Sequence, residues 1–520
     1  MIGRFLTVGG LTLLSRITGF LRDIVMAAIL GAGPIADAFF VALRLPNHFR
    51  AIFAEGAFNT AFVPAYARVR EQSGADPARV FAGRIFTLLF ASQVILLALA
   101  LLFTPGVISL LAPGFRDDPA RFALAVDLTR ITFPYLLLVT LVTLYGGILN
   151  AIQRFAAAAA APILLNLSLM AALALAAFFP TAGHAAAWGV LIAGILEVLL
   201  LMGDAARNRV LPPFRKPVFD ADIRKFFRAL GPAIIGSAGV QLALFADTII
   251  ASFLATGALS ALYYADRINQ LPIGVIGIAI GTVLLPDMAR RIAAKDEAGA
   301  QHAQNRAIEL TLLLSIPCVA AFLIVPELIM RALFMRGAFT AADAHNAAVT
   351  LAAYAAGLFP FVLIRSVTAT FYARGDTATP VIAALIAVAV NIAFKLLLMG
   401  PLAQVGLAIA TAIGAWINLL LVVALAWRAG LFGLDPRLRR SLARLALSGM
   451  ALAAFIFVAA RQLGMWNFRD EGALTLLATV SAIFYAGLIL LLLGRAWFAG
   501  FVTRTPGVAK SSQNPPDTFG

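Results

Sequence analysis

The chain has a single cysteine, Cys318, and only four histidines in 520 residues. One thiol in an apolar run excludes a disulfide framework and a cysteine-based metal site, and the histidines show no paired ligand spacing. Charge is scarce too. Charged residues make up 12% of the chain against 62% hydrophobic, and the mean hydropathy is +0.94. A soluble globular chain is nearer half apolar and a quarter charged, so that class is excluded. No Walker A sequence, HExxH or G-x-S-x-G is present, and no catalytic constellation appears. The chain therefore reads as a non-enzyme without metal or cofactor. With no nucleotide site, any work it performs must draw on an ion gradient or the membrane potential.

Long apolar runs are abundant. A helix needs roughly 20 residues to span about 30 Å of hydrocarbon, and these runs are continuous, whereas a barrel would show short alternating segments. The expected fold is an all-α polytopic membrane protein of about fourteen transmembrane helices. Approximate spans are 5–31, 34–64, 85–106, 125–150, 158–179, 185–204, 229–254, 260–286, 307–330, 346–372, 379–399, 405–427, 442–460 and 473–494. Arg16 and Arg22 interrupt the first run, which does not read as a cleavable signal. Pro46, Gly56 and Pro64 lie in the second, which should be kinked or broken. Lysines and arginines crowd one alternating set of loops, 68–84, 154, 207–228, 290–306, 374 and 428–444, leaving few on the other. The positive-inside rule then places both termini in the cytoplasm. The same placement accounts for the +15 formal charge as topology signals beside anionic lipid, and argues against nucleic acid as a partner.

The chain repeats itself. Asp23–Phe40 aligns without gaps to Asp247–Tyr264 at an offset of 224, matching Asp23 to Asp247, Gly33 to Gly257 and Phe39-Phe40 to Tyr263-Tyr264. Pro64-x-x-Ala67-Arg68 meets Pro286-x-x-Ala289-Arg290 at an offset of 222. Chance likeness between apolar helices is the plain alternative. Read as a parallel repeat, the pattern predicts two pseudo-symmetric six-helix lobes with a substrate site between them near the midplane. The expected domains are an N-terminal lobe over 1–204, a basic cytoplasmic linker over 205–228, and a C-terminal lobe over 229–428. A two-helix annex over 429–498 and a disordered cytoplasmic tail over 499–520 complete the chain.

Charges inside the membrane are where function should lie. Arg16, Arg22, Asp23, Asp37, Arg44, Arg50 and Glu55 fall in one apolar stretch, and Arg267 in the corresponding part of the second lobe. Each intramembrane charge costs about 2.5–3.5 kcal/mol on insertion scales. Converging guanidinium forks suit a phosphate or pyrophosphate, which makes Arg16, Arg22, Arg50 and Arg267 the substrate-binding candidates. Snorkelling, or pairing with Asp23, Asp37, Glu55 and Asp266, is the structural alternative for any one of them. Asp37 and Glu55 suit gate latches between the lobes, although N-capping explains Asp37 nearly as well. Glu197, Arg365 and Lys395 suggest internal salt bridges, and the glycines of Gly274–Gly281 suggest helix packing.

The stretches 36–47, ADAFFVALRLPN, and 53–64, FAEGAFNTAFVP, together with 262–286, LYYADRINQLPIGVIGIAIGTVLLP, resemble the MurJ (MviN) family. That family consists of bacterial lipid II flippases in the multidrug/oligosaccharidyl-lipid/polysaccharide exporter superfamily. The resemblance implies movement of undecaprenyl-pyrophosphoryl-disaccharide-pentapeptide across the inner membrane by alternating access, with Arg16, Arg22, Arg50 and Arg267 on the pyrophosphate. It implies further sensitive positions at Ala27, Asp37, Asn47, Glu55 and Ser260, a polyprenyl groove at the annex, and membrane lipids and cell-wall machinery as partners. Some members seat a sodium ion where Asp247 and Asn391 would contribute. Here Lys395, one turn after Asn391, would repel it, and an Asp247–Lys395 pair is expected instead. A drug or polysaccharide-lipid exporter of the same superfamily is the rival; drug exporters favour cationic substrates and need cavity acids, against the arginine excess. A non-transporting scaffold is the second rival, but it would not need charges kept in the membrane.

Overall fold

The computed structural model of the chain describes residues 2–49, 57–465, 468–494 and 497. Among them are seventeen α-helices and no strand. The first half comprises α1 (Ile2–Leu30), α2 (Pro34–Phe49), α3 (Ala57–Ser73), α4 (Ala75–Leu102), α5 (Thr104–Leu111), α6 (Pro119–Thr132), α7 (Pro134–Ala151), α8 (Ala156–Ala174) and α9 (Ala182–Arg207). The second comprises α10 (Ala221–Ser252), α11 (Ala258–Ala293), α12 (Glu297–Ile324), α13 (Pro326–Phe334), α14 (Ala341–Tyr372) and α15 (Ala378–Arg428). The annex adds α16 (Pro436–Gly464) and α17 (Asp470–Leu493).

Prolines divide several of the expected spans. Pro105, Pro134 and Pro326 each sit in the first turn of a new helix, where a missing N–H costs nothing, and so split 85–106, 125–150 and 307–330. Within the expected second span, α2 ends at Phe49 and α3 begins at Ala57.

Ten stretches of the described residues are long and apolar enough to cross a bilayer, fewer than the fourteen expected. One of the ten, 378–428, is a helical hairpin. Ala403 leaves the helical region with φ 45° and ψ −129°, and Asn391 Nδ2 donates to Ala410 O at 3.1 Å across the two limbs. The charge-bearing α1, α2 and α10 are not among the ten.

The repeat survives as geometry. Gly33 precedes α2 and Gly257 precedes α11, so the aligned glycines introduce equivalent helices. The two lobes meet in a seam on the arginine-poor side. Gly257 has φ +89°, and a methyl there would lie 2.7 Å from Ala32 O of the other lobe. Gly337 has φ +58° and would clash with Ala28 O at 2.2 Å; the next residue, Ala338, donates its N–H to that same oxygen at 2.7 Å. Neither position accepts a side chain. On the arginine-rich side the first turns of α10 pack on α3, with Phe226 against Phe58 and Phe62 at 5.8 and 6.2 Å.

The annex lies along the second lobe. Arg331 Nε pairs with Asp470 at 3.1 Å, and Tyr485 OH donates to Leu313 O at 3.0 Å. Between α12, α14 and α16 lies an apolar cavity of about 490 Å³, walled by Leu312, Ile316, Leu323, Leu442, Met450 and Phe359.

Candidate functional site

Asp23 lies in the second half of α1 and is 4% exposed. Its Oδ1 accepts from Arg22 Nε and Nη2 at 3.1 and 2.7 Å, and from Tyr263 OH of the other lobe at 3.1 Å. Arg267 Nε lies 3.5 Å from Asp23 Oδ2. Arg267 also donates to Tyr263 OH at 3.2 Å and lies over that ring, 4.9 Å from its centroid. Two guanidinium groups from two lobes thus share one carboxylate, leaving a net positive charge.

Arg16 is a further cation on α1. Its guanidinium reaches α11, where a methyl on Gly274 would sit 3.3 Å from Nη1, and it has no ion pair among the described residues. Arg22 and Arg16 are six residues apart, about 120° around the helix, which explains their different surroundings. Arg22 turns towards α8, where its Nη1 donates to Asn166 Oδ1 at 3.0 Å. Arg50 and Glu55, expected at the same site, lie outside the described residues.

Asp37 is a cap, but of the opposite lobe. Its Oδ2 accepts from Gly257 N at 2.8 Å, and its Oδ1 from Ser260 N at 3.0 Å and Ser260 Oγ at 2.6 Å, so it closes the N-terminus of α11. Capping of its own helix is not its role: Asp37 sits within the first turn of α2, past the cap position. Arg121 Nη1 stands 3.6 Å from Asp37 and donates to Thr256 Oγ1 at 3.2 Å. This arginine, a loop charge in sequence, is 6% exposed and lies over Phe115.

A polar cavity of about 440 Å³ is walled mostly by the C-terminal lobe, with Arg44 of α2 contributed by the other. Lys395 Nζ donates to Asp247 there, while Arg44, Asp266, Asn269 and Arg365 contribute other walls. Arg365 has no salt bridge among the described residues; its Nε would lie 2.7 Å from a methyl on Gly277. Gly274 and Gly277 therefore make room for arginines rather than for a neighbouring helix. Glu197 is buried beside Tyr135, whose hydroxyl donates to it at 3.4 Å.

The structure brings Arg22 and Arg267 together on Asp23, Asp37 to Ser260, and Asp247 to Lys395; Arg16 meets α11 at Gly274, about two turns beyond Arg267. Asn391 Nδ2 donates to Ala410 O across the limbs of α15, and no hydrogen bond between Asn391 and Asp247 is seen among the described residues. Ala27 is fully buried in the last turn of α1, and Asn47 is half-buried in α2. Tyr263, Asn166 and Arg121 were missed as site residues. For Tyr263 a signal existed: Phe40 stacks on it at 4.0 Å, so the aromatic pairs matched in the repeat meet across the lobe interface.

The family model described as lipid II flippase MurJ matches residues 26–489. A probable lipid II flippase MurJ of Rhizobium meliloti (strain 1021) is 43% identical over 465 residues, covering 88% of this chain and 86% of that one. Its counterpart in Haemophilus influenzae (strain ATCC 51907 / DSM 11121 / KW20 / Rd) is 35% identical over 500 residues, covering 93% and 98%. Among solved structures, a lipid II flippase MurJ in an inward closed conformation superposes with a TM-score of 0.80 at 23% identity, covering 95% of this chain and 99% of the other. An inward-facing multidrug resistance transporter of the MATE family gives 0.67 at 14% identity, covering 82% and 98%.

Proposed function

Because the chain belongs to the MurJ family of lipid II flippases, we propose that it carries lipid II from the cytoplasmic to the periplasmic leaflet of the bacterial inner membrane. The observation that carries the reading is the sharing of one acid, Asp23, by Arg22 of one lobe and Arg267 of the other, with Arg16 standing against α11 at Gly274. A pyrophosphate between the lobes would complete that charge balance, with bidentate guanidinium contacts giving orientation as well as attraction. Arg50 is proposed as a further ligand from its place in the family's pattern.

Transport is by alternating access, with both termini cytoplasmic. The seam of Asp37, Ser260, Gly257 and Gly337 is the closed periplasmic gate of an inward state, and it must part for release. Lys395 acts as a tethered cation on Asp247, so cycling needs no sodium and draws on the membrane potential. The annex cavity takes the polyprenyl tail. Depletion of the protein in its own bacterium tests the reading: lipid II should accumulate on the cytoplasmic face, and an unchanged leaflet distribution would refute it.

A further inference from the structure

A further cavity lies outside the lobe interface. It is a wedge of about 790 Å³ between the start of α1, the N-terminus of α8 and the end of α9. Leu11, Leu199 and Leu200 line its apolar side, with Leu199 and Leu200 52% and 37% exposed; Arg154, Arg207 and Asp204 line the polar side. Neither guanidinium has an ion pair among the described residues, while the Asp204 carboxylate accepts from Asn208 Nδ2 at 3.0 Å. No side chain caps α8, whose first residues, Ala156 and Ala157, face the same cavity. The positive end of that helix therefore adds to the two arginines.

We propose that this wedge binds one monoanionic glycerophospholipid, phosphatidylglycerol in type, and that the bound lipid braces α1. Two guanidinium groups and one carboxylate leave a net single positive charge, which matches one phosphodiester. Asp204 then accepts from the head-group hydroxyls. The leucine side receives an acyl chain, which a free phosphate cannot supply. Deeper in the membrane α1 is held on α8 by Asn166, whose Nδ2 donates to Ser15 O at 3.1 Å and to Thr18 Oγ1 at 3.0 Å. At Val8 and Leu11 the wedge separates the two helices. Val8 lies about 12 Å along the helix from Arg16, so the occupant sets the tilt that aims Arg16 and Arg22 into the lobe interface.

Delipidated full-length protein would be titrated with phosphatidylglycerol, phosphatidylcholine or inorganic phosphate and followed by native mass spectrometry. The wild type should retain phosphatidylglycerol at least tenfold better than the Arg154→Gln/Arg207→Gln double variant, with phosphatidylcholine retained equally by both. Millimolar phosphate should not displace the lipid. Ala160→Trp, which fills the wedge and leaves the arginines intact, should also lose the lipid. Equal retention by wild type and double variant, full displacement by phosphate, or wild-type retention by Ala160→Trp would each overturn the site. In phosphatidylglycerol nanodiscs, amide exchange over residues 8–14 should be faster in the double variant; unchanged exchange would overturn the bracing role.

Discussion

Asp23 accepts hydrogen bonds from Arg22 of its own lobe and Tyr263 of the other, with Arg267 at 3.5 Å. Removing any one cation leaves the buried carboxylate under-compensated and the cavity less positive. Arg16→Ala, Arg22→Ala and Arg267→Ala should each fail to complement a flippase-depleted strain at normal protein abundance, and the lysine variants should rescue only in part. A lost charge-assisted bond is worth about 1.5–3 kcal/mol, on the order of 10–150-fold in substrate affinity. Normal growth of two of the three alanine variants would remove the arginine cavity from the account. That arginines of both lobes stand in apolar helices was legible in the sequence, since charges persist where apolar residues are cheaper. Their partners were not. Arg22 finds Asn166, and Tyr263 finds Asp23, across 144 and 240 residues, separations that no local period encodes.

At the scale of elements, the apolar runs located the helices, but runs that cross Pro105, Pro134 or Pro326 are divided there. The 378–428 hairpin is the instructive case: two runs were separated at about residue 400, and the backbone turns at Ala403. What escaped was the use of small residues. Gly274 and Gly277 read as a packing stripe, yet they accept Arg16 and Arg365, because a missing Cβ admits a guanidinium as readily as a helix. Asp37 likewise read as a cap or a latch and is a cap supplied across the seam. Losing an N-cap costs about 1 kcal/mol, so Asp37→Ala should shift the lobe equilibrium towards an open periplasmic side by roughly fivefold to tenfold. Electron–electron distances between spin labels on the loops at 31–33 and 335–340 would report it; an unchanged distribution would mean that the cap does not hold the gate. The annex is a separate element with its own expectation. Deleting residues 429–498 should leave an inserted protein that retains lipid II less well in native mass spectrometry, and equal retention would count against the tail groove.

For the molecule as a whole, the two-lobed plan followed from the repeat, because Gly33 and Gly257 introduce equivalent helices that meet at one seam. Lys395 pairs with Asp247, and our proposal that the membrane potential acting on the cavity charges drives the cycle, at about 2.3 kcal/mol per elementary charge per 100 mV across the full field, rests on that pair. Flipping in proteoliposomes should continue when a bulky organic cation replaces sodium and should respond to an imposed potential. Strict sodium dependence at fixed potential would restore Asp247 as an ion ligand.

The claim at the centre of the account is that lipid II crosses between the lobes through the shared arginine cluster. Its most direct test is lipid II translocation in sodium-free proteoliposomes under a fixed potential, comparing the wild type with Arg267→Ala at equal insertion. The account predicts steady translocation by the wild type and loss of at least nine-tenths of that rate in the variant. Translocation by Arg267→Ala at the wild-type rate, or none by the wild type, would contradict it.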